Sequence, residues 1–202
     1  MEISVIVTNY NYERYLARCL RSLVTQSLPS INYEIVLVDD ASTDNSLEIA
    51  STFKERIKIV RQTHNQGLAS AANEGFRNSQ GRLIVRVDSD DYVHPEFLRV
   101  LVISNELLGD QFDAFSLDYE NVGEDGTVQS VMSSIEHPIG CAIAFKNEAL
   151  QALGAYKDGL RVFEEKELMK RFIESGMKLH NIALPLYRYV QHSSSLTRRT
   201  FK

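Results

Sequence analysis

The sequence is short of the residues and runs that mark secreted or membrane proteins. Its 202 residues include no tryptophan, four prolines and two cysteines, Cys19 and Cys141. Two cysteines so far apart indicate neither a disulfide framework nor a zinc site. No stretch reaches the roughly 18 to 20 apolar residues of a membrane span, and no basic-then-apolar leader precedes Ile3. We therefore expect a cytoplasmic chain without an integral membrane segment, able to meet the inner face of a membrane only peripherally.

The sequence also has fewer basic than acidic residues. Lysine and arginine number 22 against 27 aspartates and glutamates, which leaves a formal net charge of -5 at pH 7. This balance argues against nucleic-acid binding, which needs a basic face. It leaves room for an anionic ligand held through a metal ion, because the cation would supply the missing positive charge. With 44% hydrophobic residues, the chain can bury the core of one domain.

Three short apolar runs stand out against this background, at residues 3–7, 35–38 and 83–87. Each is rich in β-branched residues, and segments with helical periodicity separate them. The clearest helical stripe follows the first run and consists of Tyr15, Leu16, Cys19, Leu20, Leu23 and Val24. Together with a shorter strand predicted at residues 57–60, these patterns predict buried parallel strands joined by helices, in the order β-α-β-α-β-α-β with right-handed crossovers.

Polar side chains follow each of the three strands. Residues 8–11 follow the first strand, Asp39 and Asp40 the second, and residues 88–91 the third. Ligands of an open parallel sheet bind outside the carboxyl ends of its strands, and paired carboxylates can hold a divalent cation that bridges to phosphates. A single aspartate pair would be better explained as a turn former or helix cap. Two acidic clusters at successive strand ends instead favour a nucleoside-diphosphate site.

The pattern changes after about residue 93. The predicted elements there are a strand over 112–119, a hairpin turn at 124–126, a second strand over 128–132, helices over 148–153 and 165–175, and extended chain over 178–189. No linker rich in proline, glycine or serine divides the chain. We therefore expect one α/β domain over 1–202, with a nucleotide-binding half at 1–93 and a smaller mixed half at 94–202.

Six motifs, taken in order, resemble the family 2 glycosyltransferases. They lie at residues 5–11, 38–44, 65–67 with 71–75, 88–91, 163–165, and 187–189 with His192. Each alone is a weak match, whereas six in the order of the family are highly specific and cover nearly the whole chain. The resemblance implies the GT-A fold: a Rossmann-like, mostly parallel central sheet flanked by helices, with a smaller mixed C-terminal part on the acceptor side.

The resemblance also implies an enzyme that transfers a sugar from a nucleoside-diphosphate sugar, with UDP as the expected nucleotide, to an acceptor hydroxyl. The positions that match donor-binding residues of the family are Thr8, Asn9, Tyr10, Asp40, Asn73, Asp88 and Asp90. Thr8 and Tyr10 would border the nucleobase and Asp40 would hydrogen-bond it. Asp88 or Asp90 would contact the ribose.

A divalent cation, Mn²⁺ or Mg²⁺, is the implied cofactor. Asp90 would hold it on the diphosphate. Members of the family differ in which carboxylate of this cluster meets the cation, so Asp91 is a second candidate. His192 matches a late histidine that completes the metal shell in some members, and imidazole suits Mn²⁺ better than Mg²⁺.

The resemblance places the base of the reaction at Glu164 and Glu165. Glu165 would take the proton of the acceptor hydroxyl, with Glu164 in a supporting role, and the dipole of the predicted helix would keep the base ionised. One base and a direct displacement predict inversion at the anomeric carbon. Two glutamates at the start of a predicted helix are by themselves better explained as charges that complement the helix dipole. Only the ordered match to the family favours a catalytic role.

Two positions depart from the family pattern. Ala72 stands where the helix often has arginine, so a potential diphosphate-binding cation is missing, and Arg198 or Arg199 could substitute for it. Glu164-Glu165 stands where a Glu-Asp pair is expected, which lengthens the stem of the second carboxylate. A non-catalytic sugar-nucleotide binder is therefore an alternative. A sugar-phosphate nucleotidyltransferase is another, although the glycine-rich loop usual in that class is missing after the first strand.

Two other classes fit less well, and the acceptor stays open. A receiver-like signalling module would carry its aspartate pair after the first strand, and a dinucleotide-dependent oxidoreductase would have Gly-Xaa-Gly-Xaa-Xaa-Gly there. The acceptor region is expected around residues 140–142 and Phe163. Carbohydrate, lipid-linked oligosaccharide and protein acceptors are all compatible with the sequence, with surface polysaccharide or glycolipid synthesis as the expected setting.

Overall fold

The structure, a computed structural model, describes residues 1–157, 159, 164–193 and 195. The strands in these residues are β1 (Ile3–Asn9), β2 (Tyr33–Asp39), β3 (Lys58–Arg61), β4 (Leu83–Asp88), β5 (Tyr92–Val93), β6 (Ala114–Val122), β7 (Val128–Met132), β8 (Ile143–Lys146) and β9 (Leu179–Val190). The helices are α1 (Glu13–Val24), α2 (Ser46–Ser51), α3 (Leu68–Arg77), α4 (Phe97–Leu108), α5 (Asn147–Ala152) and α6 (Glu164–Glu174).

One mixed sheet, with the order β3-β2-β1-β4-β8-β6-β9-β5, organises the fold. The first four strands in this order are parallel. Strand β8 is antiparallel to both β4 and β6, whereas β9 runs parallel to β6. The short β5 pairs with β9, and β7 forms a hairpin with β6. The predicted α/β class with a mostly parallel central sheet is confirmed.

The register of the parallel strands brings their carboxyl ends level with one another. Asn9 at the end of β1 lies opposite Asp39 of β2, and Thr8 lies opposite Asp88 of β4. The polar segments that follow these strands therefore start at one edge of the sheet, as the sequence predicts.

Helix α1 covers the sheet with the stripe predicted from its periodicity. Leu16, Cys19, Leu20 and Leu23 are fully buried, and Tyr15 is nearly so. Cys19 is therefore a small buried hydrophobic residue, as predicted, and contributes to the same core as the strands.

Helix α3 lies unusually close to β1 because its inner face is made of small residues. A Cβ atom added to Gly75 would lie 2.3 Å from Cγ2 of Ile6, which is closer than two carbon atoms can approach. Ala69 and Ala72 are buried in the same cluster as Ile6. Ala72 is fully buried, so this position faces the core and not the solvent.

Two short strands, one in each predicted half, are absent from the sequence prediction. Strand β8 has four residues and leads directly into α5, and β5 has two. Neither is long enough for an alternating pattern to emerge, and β8 forms because β4 and β6 supply hydrogen-bond partners on both sides. The predicted β6–β7 hairpin is confirmed, with Gly126 in its turn at φ 85°.

Strands from both predicted halves of the chain enter this one sheet. The boundary near residue 93 falls within β5, which lies at the far edge beside β9. The assignment of the halves to donor and acceptor stays a prediction. Among the described residues, no helix combines the length and apolarity needed to cross a bilayer.

Candidate active site

The ends of β1 and β2 are joined by a buried network of polar side chains. Nδ2 of Asn9 donates to Oδ2 of Asp39 and to Oγ of Ser42, each at 3.1 Å. The backbone N–H of Ser42 donates to Oδ1 of Asp39 at 2.9 Å. Asn9 thus holds the two strand ends together, and its predicted contact with substrate stays a prediction. Beside it, Thr8 is buried and Tyr10 is 43% exposed.

Asp40 anchors the turn that leads into α3. Its two carboxylate oxygens accept the backbone N–H groups of Gln66 at 2.7 Å and Gly67 at 2.8 Å. Burial raises the pKa of Asp40, and the two N–H groups oppose this shift. Gly67 has φ 89°, a conformation that favours glycine. Each oxygen keeps a second lone pair, so the predicted bond to a nucleobase is compatible with this geometry.

Asn73 connects α3 to a loop after α5. Its Nδ2 donates to the carbonyl oxygen of Tyr156 at 2.8 Å, and its Oδ1 accepts the N–H of the same residue at 2.9 Å. Asn73 is buried, and this two-way bond gives it a structural task. Its predicted role in substrate binding stays a prediction.

Asp90 and His192 form a pair in the acidic cluster after β4. Oδ2 of Asp90 lies 2.9 Å from Nε2 of His192. The side chain of Asp90 is 15% exposed, whereas that of His192 is fully buried. The imidazole packs against Tyr12 and Tyr15, with ring centroids 5.9 and 4.5 Å away. Two residues predicted to share a metal are therefore in contact, although 102 positions separate them.

Asp91 is bound on both oxygens by β9. The hydroxyl of Tyr187 donates to Oδ2 at 2.6 Å, and the N–H of Val190 donates to Oδ1 at 2.8 Å. Asp91 is buried, and burial, with the charges of Asp90 and Asp88, raises its pKa. Asp91 therefore fastens the acidic segment to the sheet and has less freedom than Asp90 to meet a ligand.

Cys141 also lies at this cluster, which the sequence did not indicate. Ligand atoms of Asp88, Asp91 and Cys141 all lie within 4.8 Å of one another, with the sulfur 3.9 Å from Oδ2 of Asp91. Burial raises the pKa of the Cys141 thiol well above its ordinary value. Fifty positions separate Cys141 from Asp91, so no spacing signal links them. The only sequence feature that pointed to Cys141 was its position in the predicted acceptor region at 140–142.

The carboxylates and the imidazole near the end of β4, unlike the sulfur of Cys141, suit a hard divalent cation. Carboxylate oxygens and an imidazole nitrogen are ligands that Mn²⁺ accepts, and Mg²⁺ prefers oxygen. Oδ1 of Asp88 is buried and forms no hydrogen bond among the described residues, and it lies 3.2 Å from Nε of Arg86. Burial raises the pKa of Asp88, and Arg86 opposes the shift. The carboxylates and His192 therefore fit the cation that the sequence implies.

The two glutamates at the start of α6 have different surroundings. Glu164 is buried and accepts a hydrogen bond from Nη1 of Arg86 at 3.1 Å. Burial raises its pKa, with Arg86 acting in the opposite direction. Glu165 is half-buried and makes no hydrogen bond or ion pair within the described part of the chain. It packs on Gly140, where an added Cβ would lie 2.8 Å from Cγ of Glu165.

Three predicted positions cannot be placed. Phe163, Arg198 and Arg199 lie outside the described residues. The proposal that a tail arginine substitutes for the arginine missing at Ala72 therefore stays a prediction.

Comparison with known proteins identifies the family. The family model described as Glycosyl transferase family 2 matches residues 4–129, more than half of the chain. The chain therefore belongs to family 2 of the glycosyltransferases. The glycosyltransferase GlyG of Streptococcus pneumoniae serotype 4 is 30% identical, over 98% of this chain and 74% of GlyG. The poly(ribitol-phosphate) beta-N-acetylglucosaminyltransferase TarS of Staphylococcus aureus is 35% identical over 49% of this chain and 18% of TarS.

Solved structures identify the fold as GT-A. The crystal structure of S. aureus TarS 1-349 in complex with UDP-GlcNAc has a TM-score of 0.83, at 22% identity over 96% of this chain. The mannosyltransferase PcManGT from Pyrobaculum calidifontis, in complex with GDP-Man and Mn²⁺, has a TM-score of 0.73 at 20% identity over 99% of this chain. The chain spans 60% and 59% of these two solved chains, less than two thirds of each.

Proposed function

We propose that the chain is an inverting glycosyltransferase that moves a sugar from a UDP-sugar to an acceptor hydroxyl. The observation that carries the proposal is the contact between Asp90, partly exposed after β4, and His192, which packs on the residues that follow β1. Family membership and the nucleotide sugars bound by TarS and PcManGT support it.

The donor would bind across the ends of β1, β2 and β4. Tyr10 is sufficiently exposed to stack on a nucleobase, with Thr8 beside it. Asp40 would use the lone pairs that Gln66 and Gly67 leave free. The ribose would meet Asp88, the last residue of the neighbouring β4, or Asp90 just beyond it.

Asp90 and His192 would hold the divalent cation, Mn²⁺ or Mg²⁺. When bound, the cation supplies positive charge to the departing diphosphate. Asp90 is favoured over Asp91 as the principal ligand, because Asp91 is buried and held by Tyr187 and Val190, whereas the side chain of Asp90 is partly exposed. The local positive charge is needed, since the chain has a net charge of -5.

Glu165 would act as the general base. Its carboxylate would take the proton of the acceptor hydroxyl while the acceptor oxygen attacks the anomeric carbon. The bond from that carbon to the diphosphate oxygen breaks, and its electron pair leaves with the nucleoside diphosphate. The sugar has oxocarbenium character in such a transition state. One base and one direct displacement give inversion, so an α-linked donor would yield a β-linkage.

Glu164 is the weaker candidate for the base because Arg86 occupies its carboxylate. Glu164 is buried and the guanidinium holds its Oε1 at 3.1 Å, so its carboxylate is less accessible to an acceptor hydroxyl than that of Glu165. Glu165 has no such partner among the described residues, and general-base assistance contributes roughly 100- to 10,000-fold in rate.

The acceptor and the cellular setting are open to experiment. We expect synthesis of a surface polysaccharide or glycolipid by a cytoplasmic protein that works at the inner face of the membrane, and TarS is a poly(ribitol-phosphate) transferase. A non-catalytic sugar-nucleotide binder is the second candidate, because buried Ala72 replaces the arginine frequent in the family.

Calorimetric titration with UDP tests the donor site. Asp90→Asn should weaken UDP binding at least ten-fold in Mn²⁺, a loss on the order of 1.4 kcal/mol, and leave the weaker binding in chelator unchanged. Asp110→Asn is the matched control, since Asp110 is exposed near the start of β4, at the opposite end of the sheet. Equal UDP affinity of the wild type in metal and in chelator would refute the cation's role. Donor binding without hydrolysis or transfer would favour the non-catalytic binder.

A further inference from the structure

Arg86 is a buried charge in a strand that is otherwise apolar. It is 5% exposed, and its neighbours in β4 are leucine, isoleucine and valine up to Asp88. A buried charge is strongly destabilising unless it is paired and hydrogen-bonded. An apolar side chain would pack in this position without that requirement. The arginine therefore calls for an explanation beyond core stability.

The guanidinium joins two parts of the site. Its Nε lies 3.2 Å from Oδ1 of Asp88, and its Nη1 donates to Oε1 of Glu164 at 3.1 Å. Asp88 ends β4 on the donor side, whereas Glu164 begins the helix that carries Glu165. The planar, forked geometry of arginine suits such a bridge between two carboxylates better than the single ammonium of lysine.

Gly140 permits this bridge to form. A Cβ atom there would lie 2.8 Å from Nη2 of Arg86 and 2.8 Å from Cγ of Glu165. The side chains of Arg86 and Glu165 therefore both occupy the space that a side chain at position 140 would fill. A displacement of the guanidinium would reach Glu165 through this shared space and through Glu164.

We propose that Arg86 is a positioning residue that fixes the start of α6, and with it Glu165, relative to the carboxylate of Asp88. The proposal rests on the proposed function, because it requires Glu165 to be the base. The effect of Arg86 is exerted through Glu164 and Gly140, without contact with the acceptor.

The identity of Ala72 fits the same arrangement. Ala72, Arg86 and Tyr156 line one cavity of about 10 Å³ between α3 and the sheet. An arginine at position 72 would bring a second guanidinium towards the first in a space with no room for it. The small residue on α3 and the arginine on β4 are thus compatible with each other, whereas arginine at both positions is not.

A double-mutant cycle between Arg86→Met and Glu165→Gln tests the proposal. Arg86→Met should lower kcat on the order of 10- to 100-fold, because small misplacements of a catalytic group have effects of this size. The Kd for the donor should change less than about three-fold, a change of under 1 kcal/mol. Added to Glu165→Gln, Arg86→Met should lower kcat little further, since the group it positions is already lost. Arg86→Lys, which keeps the charge, should recover part of the rate.

Arg171→Met is the matched control within α6. Arg171 pairs with Glu167 and donates to the carbonyl oxygen of Ala155, so it also fastens α6, at a distance from Asp88. Its loss should leave kcat within about three-fold. An equal fall in kcat for Arg171→Met would mean that Arg86 stabilises α6 in a general way, and would overturn the proposal.

Two further outcomes separate this proposal from the proposed function. Multiplicative effects of Arg86→Met and Glu165→Gln would overturn the positioning role and leave the base assignment intact. A fully active Glu165→Gln would refute the base assignment by itself. If Arg86→Met does not fold, Arg86→Met/Glu164→Met removes both charges together and should show the same fall in kcat; a wild-type kcat in that variant would overturn the proposal.

Discussion

Two regions of the site, one at the end of β2 and one between the end of β4 and the start of α6, are held together in different ways. At the end of β2, the carboxylate of Asp40 is bound by backbone N–H groups 26 and 27 positions away in the sequence. In the region from β4 to α6, contacts bridge much longer separations: 78 positions for Arg86 and Glu164, 99 for Asp91 and Val190, and 102 for Asp90 and His192. The first region depends on a turn between neighbouring elements, and the second depends on the whole sheet being assembled.

This difference has consequences for substitution. Backbone N–H groups near the surface can donate to water when their protein acceptor is removed. Buried side-chain pairs have no such substitute, so the loss of one partner leaves the other unsatisfied. The region from β4 to α6 should therefore respond more strongly than the end of β2 to the loss of a single polar group.

The largest effect is expected at Glu165. Glu165→Gln keeps the shape of the side chain and removes its basicity, so turnover should fall on the order of 100-fold or more while donor affinity stays nearly intact. Transfer rates at saturating acceptor and calorimetric donor binding measure the two quantities.

Glu164→Gln is the matched comparison at the adjacent position. It should be milder, because Glu164 acts on the base only through its contact with Arg86. Comparable losses at both positions would indicate a paired site. A fully active Glu165→Gln beside an inactive Glu164→Gln would transfer the base role to Glu164.

The next largest effect is expected on the free energy of unfolding, and it compares the contacts of Asp91 with those of Asp40. Tyr187→Phe removes the hydroxyl that donates to buried Asp91, and should lower the free energy of unfolding by about 1–3 kcal/mol. Asp40→Asn removes one acceptor from the N–H pair of Gln66 and Gly67, but Gln66 is exposed and water can reach it. Its effect should therefore be smaller. Urea denaturation in chelator measures both.

Tyr119→Phe is the control for loss of a tyrosine hydroxyl. Its hydroxyl donates to the carbonyl oxygen of His137, an exposed residue away from the acidic cluster. A larger loss for Tyr119→Phe or Asp40→Asn than for Tyr187→Phe would contradict the contrast between the two regions.

The smallest effect is a change in the pH dependence of stability. Burial raises the pKa of Glu164 above its ordinary value of 4.5. The native state then keeps a proton on this carboxyl at pH values where the unfolded chain has lost it. The contribution of Glu164 to the free energy of unfolding therefore falls as pH rises from 4.5 through the raised pKa. Glu164→Gln should flatten this part of the slope, measured by urea denaturation at several pH values.

Glu167→Gln provides a control of opposite sign on the same helix. Hydrogen bonds from Arg171 lower the pKa of Glu167, so its stabilising contribution is present above the ordinary pKa and is lost as pH falls. Glu167→Gln should leave the slope above pH 4.5 unchanged. An unchanged slope in Glu164→Gln would show that the Glu164 carboxyl has the same pKa in the folded and unfolded chain.

Much of the fold could be predicted because its signals are local. The runs at 3–7, 35–38 and 83–87 became parallel strands, and the stripe on α1 became its buried face. Period two and period 3.6 can be detected within one element without knowledge of its neighbours. Strand β8 escaped detection because four residues carry too little pattern, and its two partner strands determine its state.

The candidate site also combines features that the sequence shows with features that only the tertiary structure shows. The acidic segment 88–91 and the glutamate pair are visible in the sequence, but the preference for Asp90 over Asp91 and for Glu165 over Glu164 came only from the family resemblance. The structure distinguishes within each pair. Asp91 and Glu164 are engaged by Tyr187, Val190 and Arg86, whereas Asp90 pairs with His192 and Glu165 has no polar partner among the described residues.

The sequence by itself therefore determined the parallel strands, the helices between them and the strand ends that carry carboxylates, since these follow from side-chain chemistry and spacing along the chain. Only the tertiary structure decided which carboxylates are occupied and how Cys141 and Arg86 enter the site. These features depend on burial and on contacts between segments that are distant in the sequence. Both exist only once the sheet has assembled.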